Sequence, residues 1–465
     1  LRAEKSTMSK IVRLKKGFDI NLAGKAEKTL DKLDRTETFA IIPSNYPGLQ
    51  RPKPSIEEGD TVKAGSELFF DKKNAHIRAT SPVSGEVVEI KRGDKRKLEY
   101  IKILADKEIQ FKSFKENSVS DITNLDQEDI KKQLIESGLW VNLIQRPFGI
   151  IANPEDQPKA IFISGFDTHP LAADIGFTLK GQEKYFQAGI SVLNKFASGT
   201  AHLGLSADSE VPSVFSQIKD IQVTKFSGPH PAGNVGVQIH HLDPINKGDV
   251  VWTIRPIAVV WIGRFFLEGK VDLRQTIALA GSEVKNPRYF ETIAGASVNK
   301  FLQGNLENEH VRIISGNPLT GQRINQDGYL GYYDNLISVL PEGDNYKFFL
   351  TEGWFSPQFN RLSAHRALLL FSFLNGKKKE YKLDTNMNGE ERAFVQTGIF
   401  EKVVPMDLLP VYLLKAIMAE DYDEMEALGI YEVIEEDLAL CEFVDVSKMD
   451  VQQIVRDGIN LMLEA

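Results

Sequence analysis

Two loops gather the residue types that could hold a ligand. Residues 165–174 (GFDTHPLAAD) carry Asp167 and His169 immediately after an apolar run at 160–165. A polar loop that follows a buried strand stands where α/β sheets bind their ligands, at the carboxyl ends of the strands. Residues 227–236 (SGPHPAGNVG) offer Gly228, Gly233 and Gly236 around His230, and glycine lets backbone N–H groups approach a bound group closely. Each loop reads either as a ligand contact or as a structural turn. His230, His240 and His241 could in principle serve zinc. However, no H-x-x-x-H or H-E-x-x-H spacing exists, and neighbouring histidines on a strand face opposite ways. No metal site is expected.

Other chemistry lacks a motif. The one cysteine, Cys441, cannot form an intramolecular disulfide, a cysteine-held zinc site or a cysteine-held iron–sulfur cluster. There is no G-x-S-x-G, no Walker A and no clean G-x-G-x-x-G after a strand, so hydrolase, NTPase and independent NAD or flavin enzyme readings have no motif behind them. A net charge of −8 argues against nucleic acid as a partner, because binding it requires phosphate-neutralising Lys and Arg.

Composition, at 42 % apolar and 26 % charged residues, is that of a soluble globular protein. The strongest apolar stretches are 256–263 (PIAVVWIG, between Arg255 and Arg264) and 368–374. Both fall short of the roughly twenty residues of a spanning helix. They read as buried strand or core, which leaves membrane association to a partner. The N-terminus lacks the apolar region of a secretory signal; Met8 reads as the native start, residues 1–7 as an added remnant, and a cytoplasmic location is expected.

The elements that must position these loops divide 465 residues into three or more domains. Residues 8–110 hold an N-terminal segment and glycine-punctuated alternating runs that resemble the barrel-sandwich fold of biotinyl and lipoyl carriers. Lys72 and Lys73 lie near the hairpin where such carriers attach a cofactor. The stretch to Pro82 is longer than the lipoyl pattern and lacks the biotin-type Met-Lys-Met, so the module reads as structural.

Residues 125–255 alternate strand and helix, as a Rossmann-like, nucleotide-type α/β domain does. A helix is predicted from an Asp126 N-cap to a Gly138 stop, and a second helical stretch over 183–197. Residues 256–345 return to strands and glycine turns, a β-grasp segment; 346–392 form a β-rich connection. Residues 393–465 are helical, with Leu408, Leu409, Tyr412, Leu413, Ala416 and Ile417 at helical spacing. No Lys or Arg lies between Ala416 and Ser447; that acidity reads as a solvated face. The fold class is thus α+β and multidomain.

This order of modules, with local runs such as 11–24 (IVRLKKGFDINLAG), 70–74 (FDKKN), 136–140 (ESGLW), 226–233 (FSGPHPAG) and 311–316 (VRIISG), resembles the A-subunit family of sodium-translocating NADH:quinone oxidoreductases. That family is similar to the C subunit of the Rnf complex and to the flavin-bearing subunit of respiratory complex I. Those relatives bind flavin through a glycine-rich loop after the sequence matched by Ser137-Gly138-Leu139. Here no glycine lies between Gly138 and Gly149, so approach to a flavin phosphate is expected to be blocked. Their acidic Glu-x-Glu-Pro loop is matched by Asp167-Thr168-His169-Pro170, with a histidine where the second acid sits.

The tail extends the resemblance. The ferredoxin spacing C-x2-C-x2-C-x3-C-P fits Phe394, Thr397, Phe400, Val404 and Pro405, and a second copy fits Glu435, Leu438, Cys441 and Asp445. The relatives' Pro-Met-x-Leu-Leu-Pro is matched by residues 405–410. The tail is therefore expected to be a cluster-free relic of a two-cluster ferredoxin domain.

The resemblance implies a peripheral subunit on the cytoplasmic face of the bacterial inner membrane, inactive alone, in a complex that reduces quinone with NADH electrons and pumps sodium. It implies docking on the membrane-embedded B subunit of that complex, contact with quinone, and no tightly bound redox cofactor. No residue is assigned a catalytic role. The candidates for ligand contact are Asp167, His169, Trp140, Phe148, Gly228, His230 and Gly233. The aromatic-rich stretches 140–148 and 348–359 could each supply an apolar slot, and the sequence does not choose between them. A free-standing flavin- or NAD-dependent oxidoreductase and a purely structural subunit remain the alternatives.

Overall fold

The fold is described from a computed structural model that covers residues 10–344, 379–395 and 398–464. The alternating runs near the N-terminus make two small sheets. One pairs Thr38–Ile41, Leu98–Ala105, Gly85–Arg92 and Thr61–Val62; the other pairs Pro52–Pro54, Glu67–Asp71 and Arg78–Thr80. Their buried side chains, among them Phe39, Phe69, Val87 and Ile103, form the filling of a sandwich. In the carrier-like hairpin, Asp71 accepts hydrogen bonds from the N–H groups of Gln50 (3.0 Å), Arg51 (2.9 Å) and Lys73 (3.1 Å). It pins the turn from inside and leaves Lys72 and Lys73 in solvent.

The α/β unit is built on a seven-stranded sheet. Its order is Ile11–Arg13, Gln222–Ser227, His202–Ser206, Ala160–Ser164, Val251–Thr253, Ile144–Arg146, Ile150–Ile151. The first five strands are parallel; Ile144–Arg146 runs antiparallel to them, and Ile150–Ile151 antiparallel to Ile144–Arg146. The edge strand Ile11–Arg13 thus comes from ahead of the barrel sandwich, a long-range pairing that no local pattern announces. After Ala160–Ser164 the chain winds outward through His202–Ser206 and Gln222–Ser227. It then crosses back to place Val251–Thr253 on the other side of Ala160–Ser164. That reversal makes a topological switch point, outside which a crevice opens at the strands' carboxyl ends.

Helix Gln127–Glu136 begins where its cap predicts: the Asp126 carboxylate accepts from the Glu128 N–H (3.1 Å), and Gly138 turns left-handed after its end (φ 74°). Helix Glu183–Leu193 ends short of the predicted stretch. Residues 256–263, read as buried strand or core, are core but not strand: they form the first turns of the helix Pro256–Glu268. Nearly every side of it is buried, so it shows no periodic polar face, and a helix apolar all round cannot be told from a strand by pattern. Pro256 at the first helical position and left-handed Gly269 at the end are its remaining sequence signals. It crosses Glu183–Leu193 so closely that a Cβ at Gly189 would collide with the Val259 carbonyl, and one at Gly263 with that of Tyr185.

A mixed six-stranded sheet follows, ordered Gln322–Ile324, Val311–Ser315, Leu336–Pro341, Arg274–Ala280, Arg288–Ile293, Leu30–Asp31. Residues 345–378 lie outside the described part, and with them the apolar stretch 368–374, the aromatic stretch 348–359 and most of the expected β-rich connection. In the remainder of that connection Tyr381 forms one bridge to Leu22. The tail is helical: Phe400–Val403, Pro410–Met418, Tyr422–Ala427, Glu435–Val444 and Val451–Glu464. Leu413, Leu414, Leu438, Cys441 and Val455 are buried together there, in one core shared with Leu14, Ala232 and Val237 of the α/β unit. Among the described residues, no helix is long and apolar enough to cross a membrane.

Candidate functional site

Outside the carboxyl ends of the parallel strands lies a cleft of about 890 Å³. One wall is the loop after Ala160–Ser164 and the start of Pro256–Glu268; the other is the tail, at Glu435, Glu436 and Arg456. Phe166, Ile175, Leu179, Ile254 and Ile257 give it apolar surface.

On the loop wall, the Asp167 carboxylate takes hydrogen bonds from both the His169 N–H (2.8 Å) and His169 Nδ1 (2.7 Å). Burial opposes the charge on Asp167, but His169 outweighs it and holds the carboxyl down at about 2. Burial would likewise lower His169, but Asp167 reverses this and raises the imidazole above its ordinary value. With Nδ1 committed to Asp167, the second nitrogen of His169, Nε2, is left without a hydrogen-bond partner.

Behind it lies His230, its ring 4.6 Å from that of His169. Burial, reinforced by the charge of His169, pushes His230 down to about 3, so the two adjoining rings are shifted in opposite directions. His230 is anchored through Nδ1 to Thr168 Oγ1 (3.1 Å), and Thr168 Oγ1 also accepts from the Gly233 N–H (3.0 Å). Gly233 packs against this loop; a Cβ there would press on the Thr168 N–H. The two loops picked out from sequence are therefore locked together.

On the tail wall, Arg146 is 1 % exposed and pairs with Asp437 (2.5 Å) and Glu436 (2.6 Å). Arg456 pairs with Glu435 and donates to the Phe148 carbonyl (2.9 Å). Nearby, His240 donates through Nδ1 to Glu432 (2.6 Å) and accepts from the Asp407 N–H (3.0 Å) at Nε2.

Of the sequence candidates, Asp167, His169 and Gly233 line the cleft and His230 stands just behind them. Phe148 packs edge-on to Tyr431 of the tail (6.2 Å), next to the lining residue Gly149. Trp140 does not line the cleft. It is fully buried between Phe196 and Trp252, its N–H donating to the Ala152 carbonyl (2.7 Å). Gly228 also lies elsewhere, pressed against Leu14 beside the edge strand. His240 and His241 sit on the helix Val235–Leu242, not on a strand. No group of three or more His, Cys, Asp or Glu among the described residues could hold a metal ion.

Sequence reasoning passed over Arg146, Arg255, Glu436 and Asp437. The acidic tail reads as a solvated face, yet Asp437 is 2 % exposed. The one signal was Arg146 within the apolar run at 139–148, since a buried guanidinium needs a carboxylate partner.

Comparison with known proteins agrees with this architecture. Family models match residues 12–106 (NqrA N-terminal barrel-sandwich hybrid domain), 125–271 (NqrA second alpha/beta domain) and 276–326 (NQRA C-terminal domain). The A subunit of the Na(+)-translocating NADH-quinone reductase of Haemophilus influenzae (strain PittGG) is 39 % identical over 97 % of this chain and 99 % of its own length. The corresponding proteins of Neisseria meningitidis (strain Z2491; 38 %, covering 96 % and 98 %) and Alcanivorax borkumensis (36 %, covering 97 % and 98 %) are similar throughout. A solved NAD+-reducing [NiFe]-hydrogenase chain covers 77 % of this chain and 67 % of its own, but at TM-score 0.38 and 10 % identity it carries no argument. The chain belongs to the NqrA family, the A subunits of Na(+)-translocating NADH-quinone reductases.

Proposed function

We propose that this chain is a peripheral subunit of the quinone-reducing complex for which its relatives are named, and that its cleft contacts the quinone. The observation that carries the reading is the Asp167–His169 pair, whose unpartnered Nε2 belongs to a cleft also lined by Phe166 and Ile257. A quinone headgroup needs an apolar slot with a few polar partners. Protonated His169 would donate from Nε2 to a quinone carbonyl, and Asp167 would hold the ring in that orientation. The electrons would come from other subunits, and no tightly bound redox centre is proposed in this chain.

The quinone site is tested by photo-crosslinking with an azido-quinone and by titration of the purified chain, then of the whole complex. Crosslinks at 165–170 or 254–258 are expected. Quinone affinity should fall about tenfold, ~1.4 kcal/mol, in His169→Gln. Crosslinks confined to other segments, or an unchanged affinity in the variant, would overturn the reading; no quinone binding at all would leave a structural role.

The tail is read as a ferredoxin relic that has lost its clusters. Phe400 and Val404, at two of the ligand spacings, and Leu438 and Cys441, at two of the second set, are buried in a single apolar core. Stoichiometric iron in the purified chain would sink that reading. The chain is proposed to dock on the membrane-embedded B subunit at the cytoplasmic face of the inner membrane. Crosslinking within the complex tests this, and mass spectrometry should recover peptides of that membrane protein joined to this chain.

A further inference from the structure

The switch point has a second side. Between Val251–Thr253 and the helix Pro256–Glu268 stands Arg255, which lines the same cleft. The other positive groups of the cleft wall are each matched: Arg146 by Asp437 and Glu436, Arg456 by Glu435, His169 by Asp167. Arg255 is not. Among the described residues it makes no ion pair, and its guanidinium lies over the Tyr333 ring, 4.9 Å from the centroid.

Two acids act on it electrostatically, Asp334 and Glu436. Asp334 is occupied by the Ser315 hydroxyl (2.6 Å) and Glu436 by Arg146 (2.6 Å), and burial raises the pKa of both towards the neutral form. Burial pushes Arg255 itself below its usual range, as expected of a guanidinium drawn from water without a carboxylate beside it.

Three further observations point the same way. The thirteen-residue helix that Arg255 precedes has no side-chain cap and no acid in its first turn, so its positive end is left uncompensated towards the cleft. Pro256 carries no N–H, which makes Ile257, a lining residue, the first amide at that end. Independently, Arg146, almost fully buried on the same cleft, keeps its Nε without a partner. An unpaired guanidinium, an uncapped helix start and a spare buried donor all ask for negatively charged oxygens.

We infer that the cleft holds an oxyanion subsite, in which Arg255 and the Ile257 N–H receive a phosphate or carboxylate group of a ligand. The fork of the guanidinium meets two of its oxygens, while Tyr333 keeps the guanidinium plane in place. This goes beyond the quinone reading, because a quinone ring carries no such group. Either reading can fail while the other stands.

The test is calorimetric titration of the purified full chain with inorganic phosphate, pyrophosphate and malonate. Ionic strength is held constant with sodium chloride, so that general screening cannot mimic binding. Saturable binding of pyrophosphate alone identifies a phosphate-bearing ligand, and of malonate alone a carboxylate-bearing one. Arg255→Gln should weaken that binding at least tenfold, and Arg255→Lys, which keeps the charge without the fork, by less. Hydrogen exchange on the unmodified chain guards against a folding defect in the variants: the bound anion should slow exchange across 254–258. No saturable binding of any of the three, binding that Arg255→Gln leaves unchanged, or protection elsewhere only would each overturn the inference.

Discussion

His169 and His230 lie ring against ring yet are shifted in opposite directions from the ordinary imidazole value, and their effects on stability have opposite signs. His169 is raised above 6.5 in the fold, so its stabilisation is complete below that value and is lost as pH rises through the folded pKa. Asp167, held at about 2, stabilises above its ordinary value and loses that contribution only as pH falls towards 2. His230, held at about 3, works in the window between: from 6.5 down to 3 the unfolded chain takes up a proton that the native ring refuses, and stability falls. Imidazole NMR should show His169 titrating above 6.5 and His230 neutral throughout mild acid. In Asp167→Asn the His169 value should fall, because the strongest opposition to burial is removed and only the more distant Glu436 and Asp437 remain. At this scale the sequence was informative where a loop followed a strand, as at Asp167 and His169. It was silent on Arg255, whose meaning depends on what fails to surround it.

Among the elements, the helix Pro256–Glu268 matters most, because it supports one wall of the cleft and crosses Glu183–Leu193 through facing glycines. Gly263→Ala would drive a methyl group into the Tyr185 carbonyl. It should destabilise the chain by about 1–3 kcal/mol, read as a lower midpoint in urea. Trp140→Ala removes the ring packed between Phe196 and Trp252 and orphans the Ala152 carbonyl. The expected loss is about 3–5 kcal/mol by the same measurement.

Elements with punctuation were legible: Asp126 and Gly138 bracket Gln127–Glu136, and the periodic leucines mark Pro410–Met418. Pro256–Glu268 was not, since uniform burial erases the periodicity on which such reading depends. The paired histidines at 240 and 241 misled for a related reason, because two residues carry no period at all.

Across the whole molecule, the tail is fastened to the α/β unit by charges far apart in sequence. Arg146 meets Asp437, nearly three hundred residues on, and no local pattern could announce that contact. Removing Arg146 strands the buried Asp437, so Arg146→Met should cost about 3–5 kcal/mol. Asp437→Asn, which leaves Arg146 its second partner Glu436, should cost less, and so should the double replacement Arg146→Met with Asp437→Leu. Hydrogen exchange should place the single variants' losses in 435–464.

The tail also contains the chain's one thiol. Cys441 is fully enclosed, and burial keeps it protonated far above the pH of ordinary labelling reactions. Since only the thiolate attacks a reagent, modification must wait until the helices part. The thiol is thus a clock set inside the bundle: its labelling half-life counts how often the tail opens, and a molecule that binds both cleft walls should slow it.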